Sequence, residues 1–244
     1  MDALLPQCIG EFVGTAMLIL LGDGVVANVL LKDSKGHQAG WISITTGWFV
    51  AVVIGVFVAQ SAGSPNADIN PAISLARYAS HIYSLTQTLA FMAAQLSGAF
   101  LGAILVWLAY LPHWKLTKEK DLKLMVFSTK PAIRSYPSNL LTEIIGTGVL
   151  VLGVAAIFGK ATVTGPASGL GPYLVGVLVW GIGLSLGGPT GYAINPARDL
   201  GPRLAHAFLP ISGKGNSDWA YAWVPIAGPF IGSIIAVWLW QWVH

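Results

Sequence analysis

Two tripeptides carry the chemistry of this chain. Asn70-Pro71-Ala72 and Asn195-Pro196-Ala197 stand 125 positions apart, and Arg198 directly follows the second. Asn is a favoured helix N-cap, because its side-chain oxygen accepts a backbone N–H. Proline fits the first helical turn, where a missing N–H costs nothing. Alanine beside it lets two helix ends approach closely. Each asparagine is therefore expected to commit its oxygen to its own backbone and to leave its NH2 free to donate into the space between. Two such helix starts facing each other would bring two positive dipole ends and two amide donors to one point. A neutral hydroxyl accepts from those donors, whereas a cation is repelled. A water chain is oriented there and relays protons poorly.

The elements that must position these groups form a repeat. Glu11-Phe-Val-Gly14-Thr15 matches Glu143-Ile-Ile-Gly146-Thr147, and Gly98-x-x-x-Gly102 matches Gly228-x-x-x-Gly232. With the two tripeptides, three features recur in the same order. The Gly-x-x-x-Gly pairs read as close helix packing. Residues 73–79 and 198–208, after the asparagines, read as helices too short to span. About ten residues reach about 15 Å, half of a hydrocarbon core of about 30 Å. Each half carries three full spans, an odd number, so the second half crosses in the opposite direction. The predicted fold class is an all-α membrane protein with six transmembrane helices and two re-entrant half-helices in an inverted repeat. It forms a single domain over 1–244, with one repeat over 7–110, a loop over 111–137 and a second repeat over 138–242.

Composition agrees. Of 244 residues, 55% are hydrophobic and 9% charged, against about 25% charged in ordinary soluble domains. The mean hydropathy is +0.68. These values exclude a nucleic-acid binder, a disordered chain and a secreted disulfide scaffold. Six apolar stretches reach spanning length, at 7–31, 41–62, 84–110, 138–159, 168–187 and 221–242. Trp41, Trp107, Tyr110, Trp219 and Trp240 near their ends fit interfacial anchoring. No Lys or Arg precedes the first apolar run and Glu11 interrupts it, so it reads as a retained span, not a signal peptide. Cys8, the single cysteine, reads as a small apolar residue. Of the 13 Lys and Arg, six lie between Lys115 and Arg134. That interval reads as a solvated loop, or alternatively as an anion-attracting vestibule. Counting Lys32, Lys35, that loop, Arg198, Arg203 and Lys214 against Arg77 and Lys160 puts the N-terminus outside.

Glu11 and Glu143, at matching positions, are expected to accept hydrogen bonds from the irregular segment of their own half and so turn its carbonyls inward. Asp199, in the first turn of the second half-helix, is favoured by the helix dipole and reads as structural. Asp23, between Gly22 and Gly24, either faces an outer vestibule or marks a helix end.

The chain as a whole resembles the major intrinsic protein family, the aquaporins and aquaglyceroporins. Gly191-Tyr192-Ala193-Ile194-Asn195-Pro196-Ala197-Arg198-Asp199 looks most like the bacterial glycerol facilitators, with Asp199 after Arg198 as the mark of the glycerol-conducting branch. The resemblance implies a homotetramer in a plasma or bacterial inner membrane, one pore per subunit and both termini cytoplasmic, opposite to the charge count. It implies a polar wall of backbone carbonyls from Asn66, Ala67, Asp68 and Ile69 and from Gly191, Tyr192, Ala193 and Ile194. It also implies that Arg198 lines the constriction. Two departures stand out. Asp68 replaces a histidine common in the first loop. Glycerol facilitators place Trp immediately before a Gly in the second span, where this chain has Thr46-Gly47 and Trp48 lies about 200° further round. The expected filter is therefore Thr46, Gly183, Tyr192 and Arg198, with Gly183 leaving room and Thr46 widening the aperture.

The function expected is a passive channel for glycerol, water and small neutral solutes, extending to dihydroxyacetone and protonated lactic acid. The alternatives are a water-selective pore and, in a different class, an ion-coupled secondary transporter or a structural junction protein. Gly183 and Asp199 speak against the first. The spans show no acidic or His cluster for coupling. The five His are scattered, so no enzyme, metal or cofactor is expected.

Overall fold

The computed structural model describes residues 4–159 and 169–243. Lys160, counted above, and residue 168, the first of the expected fifth span, lie outside them. The first half contains α1 (Leu4–Leu30), α2 (Trp41–Ser61), the short α3 (Pro71–Ala79) and α4 (Leu85–Ala109). The second contains α7 (Tyr136–Phe158), α8 (Leu170–Leu186), the short α9 (Pro196–Phe208) and α10 (Val224–Val243). Between them lie α5 (Leu111–Leu116) and α6 (Lys120–Phe127). The fold is the all-α inverted repeat. Five helices are long and apolar enough to cross a membrane, and α8, with 17 described residues, is the shorter sixth.

Small residues set the helix spacing. A side-chain carbon on Gly98 would come within 2.1 Å of the Phe12 carbonyl oxygen in α1, and one on Gly102 within 2.5 Å of that of Ala16. In the second half, a carbon on Gly232 would approach the Ile144 carbonyl oxygen to 2.4 Å, and one on Gly228 the Glu143 side chain to 2.5 Å. Backbone therefore meets backbone at both α1–α4 and α7–α10, as the paired glycines indicate.

Each half-helix packs against the opposite half. The α3 helix lies on α10 as well as on α4, and α9 lies on α4. Ser233 in α10 donates to the Ala72 carbonyl at 2.7 Å. The halves also meet directly through α2 and α8.

The 111–137 interval is not the solvated loop its charges suggest. It folds as α5 and α6 and buries Trp114, Lys123, Phe127 and Thr129. The apolar residues interleaved with the lysines make this surface: Trp114 stacks on Phe127, which contacts His206 of α9. Lys123 sends its ammonium to the Ser212 carbonyl. The connection is a folded arm resting on the second half-helix.

Candidate functional site

The two asparagines cap their helices as their sequence implies. Asn70 Oδ1 accepts from the Ala72 N–H at 2.9 Å, and Asn195 Oδ1 from those of Ala197 and Arg198 at 3.0 and 3.2 Å. Their NH2 groups are not wholly free, which corrects the expectation. Asn70 Nδ2 donates to the Ile194 carbonyl, and Asn195 Nδ2 donates to the Ile69 carbonyl, each at 2.9 Å. The reason is the closeness of the two loops, which places each carbonyl within reach of the other half's amide. An amide nitrogen carries two protons. One bond across the junction leaves one N–H on each asparagine to face the cavity that both line.

The loop before each asparagine repeats down to its backbone angles. Ala67 and Ile69 have φ of 47° and 43°, and Tyr192 and Ile194, 125 positions later, have 39° and 43°. For residues with a side chain this left-handed region is costly and persists only where neighbours impose it. The buried glutamates do so. Glu11 accepts from the N–H groups of Asp68 and Ile69 at 2.9 and 2.7 Å, and Glu143 from those of Ala193 and Ile194 at 3.0 and 2.9 Å. Glu11 is further held by Ser64 and Gln95. With these N–H groups bound on the protein side, the loops present their other face to the cavity. Asp68, in the position of the expected histidine, turns away to Ser74 at 2.9 Å and Arg77 at 2.6 Å and ties its loop to α3.

Two cavities meet at this centre. One, of about 220 Å³, runs past both asparagines. Its wall is apolar on one side, with Leu18, Val52, Val56, Leu150 and Val179, and on the other carries Asn66, Ala67, Asp68, Ile69, Ala193 and Ile194 of the two loops. The other, of about 690 Å³, is lined by Gly191 and by the Thr129–Ala132 stretch of the arm. Trp48, Tyr192 and Arg198 line both, so the passage from one to the other lies among these three side chains.

This corrects the filter expected from the sequence. Thr46 lines neither cavity, whereas the Arg198 guanidinium sits over the Trp48 indole, 4.3 Å from its centroid. The helical register explains the difference. Trp48, Val52, Val56 and Gln60 recur every four residues on the lumen side of α2. Gly22 of α1 makes the seat for the indole, since a side-chain carbon there would lie 2.3 Å from the Trp48 ring. Gly47 faces α1 instead, where an added carbon would lie 2.4 Å from Val25. Gly183 also differs from expectation. The space it leaves is taken by Tyr192, whose ring an added carbon would meet at 2.7 Å. Trp41 holds that ring edge-on at 5.7 Å between centroids and donates its indole N–H to the Gly183 carbonyl at 3.0 Å. Sequence reasoning missed Trp41 in this role.

The Asp199 carboxylate ties the arm to α9. It accepts from the Thr129 N–H and hydroxyl at 2.8 and 2.7 Å, and it pairs with Arg203 at 2.7 Å. Arg203 reaches on to the carbonyls of Thr129 and Ser217. Lys214 donates to the carbonyls of His206, Ala207 and Leu209 and closes the far end of α9.

A membrane fold of two inverted halves, closed around a two-ended passage with capped half-helices at its middle, defines a channel-type protein. The Major intrinsic protein family matches residues 2–240, and the chain belongs to that family. A Probable glycerol uptake facilitator protein of Thermotoga maritima is 57% identical over 235 residues, covering 96% of this chain and 98% of that one. Glycerol uptake facilitator protein 3 of Lactiplantibacillus plantarum is 53% identical over 240 residues, covering 98% of each. A D/L-lactic acid transporter of the same organism is 37% identical over 239 residues and covers 96% of each. The aquaglyceroporin of Plasmodium falciparum has a similar structure, with a TM-score of 0.86 at 28% identity over 98% of this chain and 96% of that one. The chain is a multi-pass membrane protein and not an enzyme.

Proposed function

We propose that this protein is a passive channel for glycerol, water and other small neutral solutes. The observation that carries this reading is the pair of reciprocal asparagine amides at the midpoint of a passage that is apolar on one side and polar on the other. A polyol turns its carbons to Val52, Val56 and Val179 and its hydroxyls to the loops and to the spare amide protons. Hydration lost on entry is replaced by these fixed groups. The names of the relatives at 57% and 53% identity support glycerol as a solute. Asn70-Pro71-Ala72 and Asn195-Pro196-Ala197 form the centre of the pore, and Trp48, Tyr192 and Arg198 form its filter, with Gly183 seating Tyr192. Arg198 donates to the solute's hydroxyls, and the positive ends of the two half-helices oppose cations.

In the bilayer the chain assembles as a homotetramer with a pore in each subunit and both termini on the cytoplasmic side. Proteoliposome swelling with water, glycerol, dihydroxyacetone and urea tests the reading. Glycerol and water flux above protein-free vesicles is expected. Water flux without glycerol flux would establish the water-selective alternative.

A further inference from the structure

Among the described residues, five carboxyl groups sit buried in or beside the spans, and four have evident work. Glu11 and Glu143 hold the loops, Asp199 holds the arm and Asp68 holds α3. Asp23, in α1, does none of this. It is fully buried, and neither of its oxygens has a hydrogen-bond partner among the described residues. Its Oδ1 lies 3.8 Å from Nη1 of Arg198, and that nitrogen likewise has no hydrogen-bond partner. Asp23 lines neither cavity, so it does not touch a solute in the passage. The two sequence readings, vestibule and helix end, both give way to a third: Asp23 stands behind the filter arginine.

The surroundings narrow its role. Residue 22 is the glycine that seats Trp48, so from adjacent positions α1 seats the α2 indole and presents the carboxyl to the same guanidinium. From α9, Arg198 and Asp199 face the group electrostatically. From α2, the Trp48 ring packs on the adjacent Gly22 and carries no charge. At the end of α4, the Tyr110 hydroxyl donates to the carbonyl of Gly24, next to Asp23. His37, Asp121 and Lys130 line the larger cavity beyond. An unpaired carboxylate is costly in such a place unless an opposite charge compensates it. Arg198, 3.8 Å away, is the opposite charge within reach, and each group offsets part of the other's charge. A lone guanidinium at a constriction of low dielectric would draw anions. With a carboxylate behind it, it keeps its N–H donors and loses most of its net field.

We propose that Asp23 sets the charge selectivity of the filter: paired with Arg198, it makes the constriction rich in donors yet without net positive charge, so that small hydroxy acids pass only as undissociated molecules. Asp23 is a positioning residue acting through Arg198. The proposal rests on the channel reading above and deepens it by specifying the ionisation state of an acidic solute.

The test compares lactic acid uptake at pH 5 and pH 7 in proteoliposomes, with the rate of protein-free vesicles subtracted. The undissociated fraction falls about tenfold per pH unit above a carboxyl pKa of about 4. Wild-type flux is expected to follow it. In Asp23→Asn, which removes the charge at constant size, the pH 5 to pH 7 ratio is expected to fall by about fivefold or more as the anion gains entry. Asp23→Glu, which keeps the charge, is expected to retain the wild-type ratio. A ratio does not depend on how much folded channel each preparation holds. An unchanged ratio in an Asp23→Asn channel that still conducts glycerol overturns the proposal. So does a ratio in Asp23→Glu that shifts as in Asp23→Asn. If Asp23→Asn does not assemble, the wild-type protein decides: lactate uptake at pH 7 that rises with an imposed inside-positive potential overturns the proposal, and indifference to the potential supports it. Wild-type vesicles that fail to conduct glycerol would instead defeat the channel reading itself.

Discussion

Each asparagine amide at the pore centre makes two kinds of bond at once. Its oxygen caps a half-helix, and one N–H crosses to the opposite loop at 2.9 Å. Asn70→Leu or Asn195→Leu therefore removes a cap worth about 1 kcal/mol and leaves a buried carbonyl one partner short, at a further cost of about 1–3 kcal/mol. Flux in a swelling assay is expected to fall at least tenfold, and a folded double variant that conducts like wild type would rule out this pore centre. At the filter, Trp48→Thr is expected to raise dihydroxyacetone flux relative to glycerol, because it removes the indole beneath Arg198. Thr46→Ala should leave that ratio as it is, since Thr46 lines neither cavity. The asparagine caps and the two glutamates are legible in the sequence because each of these contacts lies within its own half, through a local cap or a repeated spacing, whereas the bonds that cross between the halves are not. Trp48 is not legible. Its direction depends on Gly22, a residue of another helix, and no spacing within α2 reveals the seat that Gly22 provides.

The elements divide in the same way. The long helices and both half-helices follow from apolar runs and caps, and their described ends agree with the sequence reading to within three residues. The arm does not follow, because its lysines dominate any count of charge while Trp114 and Phe127 decide its packing. Arg134 fastens the arm to Asp218 through its two terminal nitrogens, Nη1 and Nη2. That hydrogen-bonded pairing holds the Asp218 carboxyl below its ordinary value. The contribution to stability is thus complete above the unfolded value of about 3.9 and is lost as pH falls through the lower folded value. Arg134→Ala should reduce the thermal midpoint slightly at pH 7, by the equivalent of about 1 kcal/mol or less for so exposed a pair. The gap between variant and wild type should close below about pH 4, and a gap that widens there would contradict the assignment. Between helices the tolerance is far smaller. Gly98→Val would force α4 off the Phe12 carbonyl, and loss of folded protein in size-exclusion chromatography is the expected result.

At the scale of the whole molecule, the described spans hold no cluster of His, Cys, Asp or Glu suited to an ion, and the buried acids are engaged with loops or with Arg198. Uptake of an uncharged solute should accordingly be indifferent to imposed proton or sodium gradients. Accumulation of glycerol against its own gradient would move the protein to the class of coupled transporters. The inverted arrangement is legible in the sequence as two sets of three spans. The mutual dependence of the halves is not, because it consists of contacts between residues far apart in the chain. The embrace of each half-helix by the other half bears on biogenesis. A ribosome releases α3 long before α10 exists, yet α3 rests on α10, and the Ser233 hydroxyl reaches the Ala72 carbonyl across 161 positions. Until the last span arrives, the emerging chain must hold a polar re-entrant segment at membrane depth with part of its packing missing. Insertion should therefore finish late and in one concerted closure, and in a Cys8→Ser background a cysteine placed in α3 by Ala76→Cys should react with thiol reagents in chains stopped before Val224 but not in the complete protein.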